Sequence, residues 1–127
     1  TEEPRQRFPE PHNGITYQGA WRQGPLDLGA LEYAARTAEV DGVGVSHLDM
    51  PVSVVAETPG GYVDARGLQG RALEVTRETN LHRACQASPT LTPVGDSGEL
   101  IERIERVTVA PVVVTADGPR RADRILC

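Results

Sequence analysis

Val112-Val-Val-Thr115 is an unbroken run of β-branched residues. Such side chains are stiff at χ1 and fit a pleated surface, and a run without polar alternation is expected of a strand covered on both faces. Ahead of it, Leu100, Ile101, Ile104 and Val107 fall at i, i+1, i+4 and i+7, one apolar face of a helix. Asp96 or Ser97 can cap that helix, and Glu99 and Glu102 put negative charge near its positive end. Glu102 and Arg106 are spaced as a favourable i,i+4 pair worth about 0.2–0.5 kcal/mol. Pro111 closes the segment. A helix leading into a doubly covered strand restricts the chain to α/β layering.

The first half has the same grammar. Pro25 suits the first turn of a helix, where its missing N–H costs nothing. Leu28, Leu31, Ala34, Ala35 and Ala38 then form a helical stripe, with Asp27 in the first turn. Asp41-Gly42 breaks the helix, Val43 and Val45 alternate as a short strand, and Pro51–Ala56 reads as a second. Gly60-Gly61 is a hairpin-like break. Leu68, Ala72, Leu73, Val75 and Leu81 give only a weak helical pattern over 66–86. Residues 87–98, with Pro89, Pro93, Gly95 and Gly98, read as loop. Residues 1–19 carry Pro4, Pro9, Pro11, Gly14 and Gly19 without an apolar period and read as an irregular arm.

A chain of 127 residues fits one domain with a modest core. Aromatics make up 4%, so the core rests on Val, Leu, Ile and Ala. The formal net charge of −5 argues against binding a nucleic-acid backbone, which calls for a basic footprint. Every basic residue is arginine, so no site can use a lysine. Cys85 and Cys127 have neither metal-ligand nor redox spacing, which fits a reduced, cytoplasmic setting. The sequence has no membrane-length apolar run and no signal peptide. It starts at Thr1 rather than Met, as a fragment or a processed product would.

The candidate chemistry sits in Ser46-His-Leu-Asp49, at the C-terminal end of a predicted strand, where α/β folds bind ligands. The Asp49 carboxylate can accept two hydrogen bonds from neighbouring N–H groups. The N1 and N2 edge of guanine presents such a pair and adenine does not; alternatively, Asp49 only opens the turn before Pro51. His47 has no second His or Cys in a metal pattern, and a packing or solvated histidine is the plainer reading. Gly118-Pro119 follows the Val-rich strand and can wall a flat base if the two strands are neighbours, or can be an ordinary tight turn. Arg22, Arg120, Arg121 and Arg124 have the fork geometry for phosphate or carboxylate, though a solvated face is the plainer reading. A Gly-rich phosphate loop, a Gly-x-Ser-x-Gly elbow and a Cys/His zinc pattern are all missing from the sequence.

Taken in order, these motifs resemble the C-terminal part of the adenylosuccinate synthase family. Arg22 precedes Gly24-Pro-Leu-Asp27 and Ala30-Leu-Glu-Tyr-Ala34, which look like the family's arginine-bearing loop, its Gly-x-x-Asp helix start and its Ala-x-x-Tyr-Ala core. Ser46-His-Leu-Asp49 is similar to the base-recognition motif Thr-Lys-Leu-Asp. Leu100–Val107 and Val112–Pro119 are similar to the family's final helix, Val-rich strand and Ser-Thr-Gly-Pro. Glu10-Pro-His-Asn-Gly14 and Gln18-Gly-Ala-Trp-Arg22 are closest to the short, archaeal-type branch. The resemblance covers about residues 8–49 and 97–127. The chain departs from the family at Ala20 (often Arg), His47 (Lys) and Ala116 (a hydroxyl residue).

The resemblance implies an α/β fold, the C-terminal part of a mixed sheet with flanking helices related to P-loop NTPases. It divides the chain into an irregular arm and substrate-type loop (1–24), a helix and strands bearing the Ser-His-Leu-Asp motif (25–56), a divergent middle (57–96), and a helix, strand and Gly-Pro turn (97–127). The implied reaction is GTP-dependent ligation of IMP and L-aspartate in purine biosynthesis, with Mg²⁺ on the phosphates. Asp49, His47, Ala116, Gly118 and Pro119 would bind guanine, and Arg22 and Gly19 would serve the substrate loop. The family's phosphate loop and catalytic Asp and His belong to an N-terminal half that this sequence does not contain. The chain is therefore expected to be inactive alone and to work with that half, covalently continuous or separate; a homodimer is also compatible with the family. The alternative is a truncated, non-catalytic nucleotide-binding or interaction module.

Overall fold

The structure, a computed structural model, describes residues 24–50, 52–86, 88–118 and 120–127. Elements follow in the order β1 (Leu26–Asp27), α1 (Leu28–Ala38), β2 (Val43–Val45), β3 (Val54–Glu57), α2 (Gly70–Gln86), β4 (Thr90–Pro93), α3 (Ser97–Thr108), β5 (Val112–Ala116), a 3-10 turn (Arg121–Asp123) and β6 (Arg124–Leu126). The α/β expectation holds. Instead of one mixed sheet there are two of three strands, ordered β1-β3-β4 and β2-β5-β6. In each, one pairing is parallel (β1 with β3, β2 with β5) and one antiparallel (β3 with β4, β5 with β6).

A single core joins the two sheets. Leu28 of α1, Val55 of β3, Val94 after β4, Leu100 and Ile104 of α3 and Val112 of β5 are buried together. Leu28 and Val55 are the most enclosed, at 2% and 0% exposure. Burying an aliphatic side chain of this size contributes about 1.5–3 kcal/mol. Leu31, Val43, Leu48, Ile101 and Val107 pack against the cluster, so the predicted faces of α1 and α3 point inward. Ala34 and Ala38 of the predicted α1 stripe are exposed instead.

Local chemistry sets the helix ends. The predicted α1 start near Pro25 moves to Leu28, because Asp27 stays extended and caps the helix. One oxygen of its carboxylate accepts from the Ala30 N–H at 3.1 Å and the other from the Thr58 hydroxyl at 3.1 Å. The same side chain thus satisfies an orphan donor of α1 and fixes the exit of β3. At α3 the cap is Asp96, which accepts from the Glu99 N–H at 2.8 Å. Glu99 in turn accepts from the Gly95 N–H and from Arg103, and these two contacts, in that order, hold its carboxyl below its ordinary value. Among the described residues the i,i+4 ion pair on α3 is Glu99–Arg103, not the expected Glu102–Arg106.

Four further expectations change. The weak pattern over 66–86 resolves into α2, which buries only Asn80. That amide grips both backbone groups of Val63: Oδ1 accepts from its N–H at 2.8 Å and Nδ2 donates to its carbonyl at 2.9 Å. The Arg83 guanidinium also donates to the Gly61 carbonyl at 3.1 Å, and a helix attached through such polar groups leaves little apolar periodicity in the sequence. The expected loop over 87–98 contains β4, which pairs with all four residues of β3; Pro93 within it and Pro89, Gly95 and Gly98 around it hide the strand from propensity. The Val112–Thr115 run is covered on one face only, since Val113 is 43% exposed. The strand expected over Pro51–Ala56 is narrower, Val54–Glu57. The arm over 1–19 lies outside the described residues. Among the described residues no helix is long and apolar enough to cross a membrane.

Val109 closes α3 in the left-handed region, at φ 53° and ψ 31°, and is 84% exposed. A β-branched side chain there meets its own backbone, at a cost of about 1–2 kcal/mol that glycine avoids. Val109→Gly is therefore expected to raise the chemical-denaturation midpoint, with a gain of about 1 kcal/mol once the extra freedom of the unfolded glycine is subtracted.

Candidate functional site

β2 and β5 run parallel, so their C-terminal ends open on the same side. Val43 aligns with Val112, Gly44 with Val114 and Val45 with Thr115. Beyond the ladder, the Leu48 N–H donates to the Ala116 carbonyl at 3.0 Å. This bond brings the Ser46-His-Leu-Asp49 stretch beside the Ala116-Asp-Gly118 stretch. The sequence had left that neighbourhood conditional.

Strand geometry ends at Val45, and His47 turns the chain with φ 63°, in the left-handed region. The Met50 N–H closes the turn onto the His47 carbonyl at 3.0 Å. Ser46 Oγ and His47 Nδ1 lie 3.0 Å apart and share a hydrogen bond, which ties the ring to the preceding residue. Ser46, His47 and Asp49 are exposed, while Leu48 is half-buried and packs toward the core. The turn thus uses Leu48 as its anchor and presents its polar side chains outward. Asp49 is the exposed carboxylate of this turn.

The opposing wall is organised by Asp123, which sequence reasoning missed. Its carboxylate accepts from the Arg120 N–H at 2.8 Å, its own N–H donates to the Arg120 carbonyl at 3.0 Å, and its carbonyl accepts from the Asp117 N–H at 3.1 Å. Gly118 is required here: a Cβ at this position would fall on the Asp123 side chain, 2.8 Å from its Cγ. No motif in the sequence marks this role, because Asp123 acts on the backbone groups of a turn. Arg120, Arg121 and Arg124 are exposed around it. Gly19, Arg22 and Pro119, also named as site residues, lie outside the described residues, as does Ala20.

Away from the β2–β5 end, a concavity of about 260 Å³ lies between α1 and the loop after β3. Glu32, Tyr33 and Arg36 line one side and Gly60, Gly61, Tyr62 and Asp64 the other. The Tyr33 and Tyr62 rings sit 5.9 Å apart, and Glu32 pairs with Arg36 across one helical turn. Arg66 holds the Asp64 carboxyl below its ordinary value, first through its side chain and then through its backbone N–H. Its charges are thus already paired, and it shares no residue with the β2–β5 end. Among the described residues no cluster of His, Cys, Asp and Glu could hold a metal ion.

Neither models of protein families nor curated proteins give a match to this chain. Its functional reading therefore rests on the site itself and on the ordered motifs.

Gly118→Ala is expected to push Asp123 off the Arg120 N–H. Overpacking of this kind costs about 1–3 kcal/mol. Amide hydrogen exchange at Arg120 should accelerate in the variant, while exchange in α3 falls only in step with global stability.

Proposed function

We propose that this chain is the C-terminal segment of an adenylosuccinate synthase-like protein and supplies its guanine-recognition wall. The observation that carries the reading is the Leu48–Ala116 hydrogen bond, which joins the two motif regions that the resemblance makes parts of one pocket. Asp49 accepts from the N1–H and N2–H groups of guanine. The backbone from Ala116 to Gly118, with Pro119, lies against the base, and His47 flanks it in place of the family's lysine. Adenine lacks the paired donors and is excluded because Asp49 would meet an acceptor edge.

The remaining parts of the family reaction are proposed for other residues. Arg22 and Gly19 belong to the substrate loop. GTP phosphates, Mg²⁺ and the activation of IMP fall to a separate or covalently joined N-terminal half with a Gly-rich phosphate loop, and L-aspartate attacks the activated base there. Nothing in this segment transfers a phosphoryl group, so alone it binds and does not catalyse. A reducing cytoplasm suits its two exposed, unbridged cysteines.

Calorimetric titration of the chain with GDP and with ADP tests the reading. GDP is expected to bind and ADP not. Asp49→Asn, which replaces an acceptor by a donor on one arm, should weaken GDP by about tenfold or more, the loss of a charged hydrogen-bond pair. Equal binding of both nucleotides, or GDP binding that Asp49→Asn leaves intact, contradicts it.

A further inference from the structure

Among the described residues, the hydrogen bonds that close the turn over 117–120 all end on Asp123. Its backbone takes the Asp117 N–H at 3.1 Å and donates to the Arg120 carbonyl at 3.0 Å. Its carboxylate takes the Arg120 N–H at 2.8 Å. The side chain adds a contact that no backbone bond supplies. A Cβ built on Gly118 would fall 2.8 Å from Asp123 Cγ. The carboxylate therefore fills the side of the Gly118 backbone where an L side chain would stand, and a flat molecule can meet this backbone from the opposite side.

The seat of Asp123 is itself fixed by strand register. The next residue, Arg124, pairs with Ala116, and Ile125 pairs with Thr115. Thr115 also pairs with Val45, the last residue of β2 before the Ser46–Asp49 turn. One rigid sheet thus connects the Asp123 carboxylate to Asp49.

We propose that Asp123 is a positioning residue of the β2–β5 site: its carboxylate fixes the Asp117-Gly118 backbone where a base held by Asp49 meets it. The inference rests on the guanine reading and adds to it the residue that makes one wall rigid. Asp123 touches no ligand in this account and acts through Gly118. A binding wall has to be held to within about 0.5 Å by supporting contacts of this kind. Without the carboxylate, the Arg120 N–H turns to water, the space beside Gly118 empties, and the wall yields under the base.

Calorimetric titration of the full chain with GDP, arranged as a double-mutant cycle, tests the proposal. Asp123→Ala is expected to raise the dissociation constant about tenfold, the loss of a charged hydrogen bond. Asp123→Asn, whose amide oxygen still accepts from the Arg120 N–H, should stay within about threefold of wild type. Gly118→Ala should weaken GDP by about tenfold in the wild-type background. In the Asp123→Ala background it should cost about threefold or less, because the carboxylate atoms that the added methyl would strike are gone. A residue that only supports folding does not produce this compensation. Asn80→Ala, which frees α2 from Val63, is the control for lost stability and should leave the constant unchanged. Circular dichroism checks the fold of each variant, and Gly118→Ala read against Asp123→Asn carries the test if Asp123→Ala does not fold. Wild-type affinity in Asp123→Ala, with Asp49→Asn still weakening GDP, overturns this inference and leaves the guanine reading standing. So do equal losses in Asp123→Ala and Asn80→Ala, or full additivity of Gly118→Ala and Asp123→Ala. A wild-type chain that binds no GDP overturns the guanine reading and this inference with it.

Discussion

Parallel pairing between β2 and β5 is the constraint on which the candidate site of this chain depends. The two strands are far apart in sequence, and a parallel neighbour can be reached only through a long crossover. Here that crossover includes β3, α2, β4 and α3. The pairing aligns two strand ends that carry different chemistry: a turn bearing an exposed carboxylate and imidazole after β2, and a glycine-dependent backbone turn after β5. The Leu48–Ala116 bond extends the register past the ladder, so the sheet sets the turns side by side while the Leu48 and Asp123 side chains hold each in shape.

That alignment is held by a core small enough for single residues to matter. Leu28, Val55, Leu100, Ile104 and Val112 come from four different stretches of chain, α1, β3, α3 and β5. The caps at Asp27 and Asp96 fix where each helix begins and therefore which residues face inward. Asp27 does more than cap, since its second oxygen takes the Thr58 hydroxyl and ties α1 to the exit of β3. The middle of the chain contributes differently. α2 buries Asn80 and little else, and its attachment to Val63 is a pair of hydrogen bonds rather than an apolar face.

Legibility in the sequence followed the apolar period. α1 and α3 were readable because Leu28, Leu31, Leu100 and Ile104 recur at helical spacing and do pack inward. β2 and β5 were readable from Val43, Val45 and the Val112 run, although the exposure of Val113 shows that a β-branched run does not by itself mean two covered faces. β4 was not readable, because Thr90-Leu-Thr-Pro93 has loop composition and becomes a strand only through β3. α2 was ambiguous for a physical reason: a helix held mainly through the hydrogen bonds of Asn80 and Arg83 has only a weak apolar stripe to detect. At the site, His47, Asp49, Ala116 and Gly118 were named from the sequence, but their adjacency required the sheet register. Asp123 was missed because its role is to hold backbone groups of a turn, which leaves no motif. The α1 groove was missed because Glu32, Arg36 and Asp64 read as solvated charges until the loop after β3 is folded against them.

The most direct measurement is an amide chemical-shift titration of the isotope-labelled chain with GDP. The account predicts perturbations concentrated at Ser46, His47, Leu48 and Asp49 together with Asp117 and Gly118, the two turns responding with one binding constant. Shifts confined to Tyr33 and Gly60–Asp64 would move the nucleotide to the α1 groove. An unperturbed β2–β5 end at saturating GDP would contradict the claim that these turns form one base-binding wall.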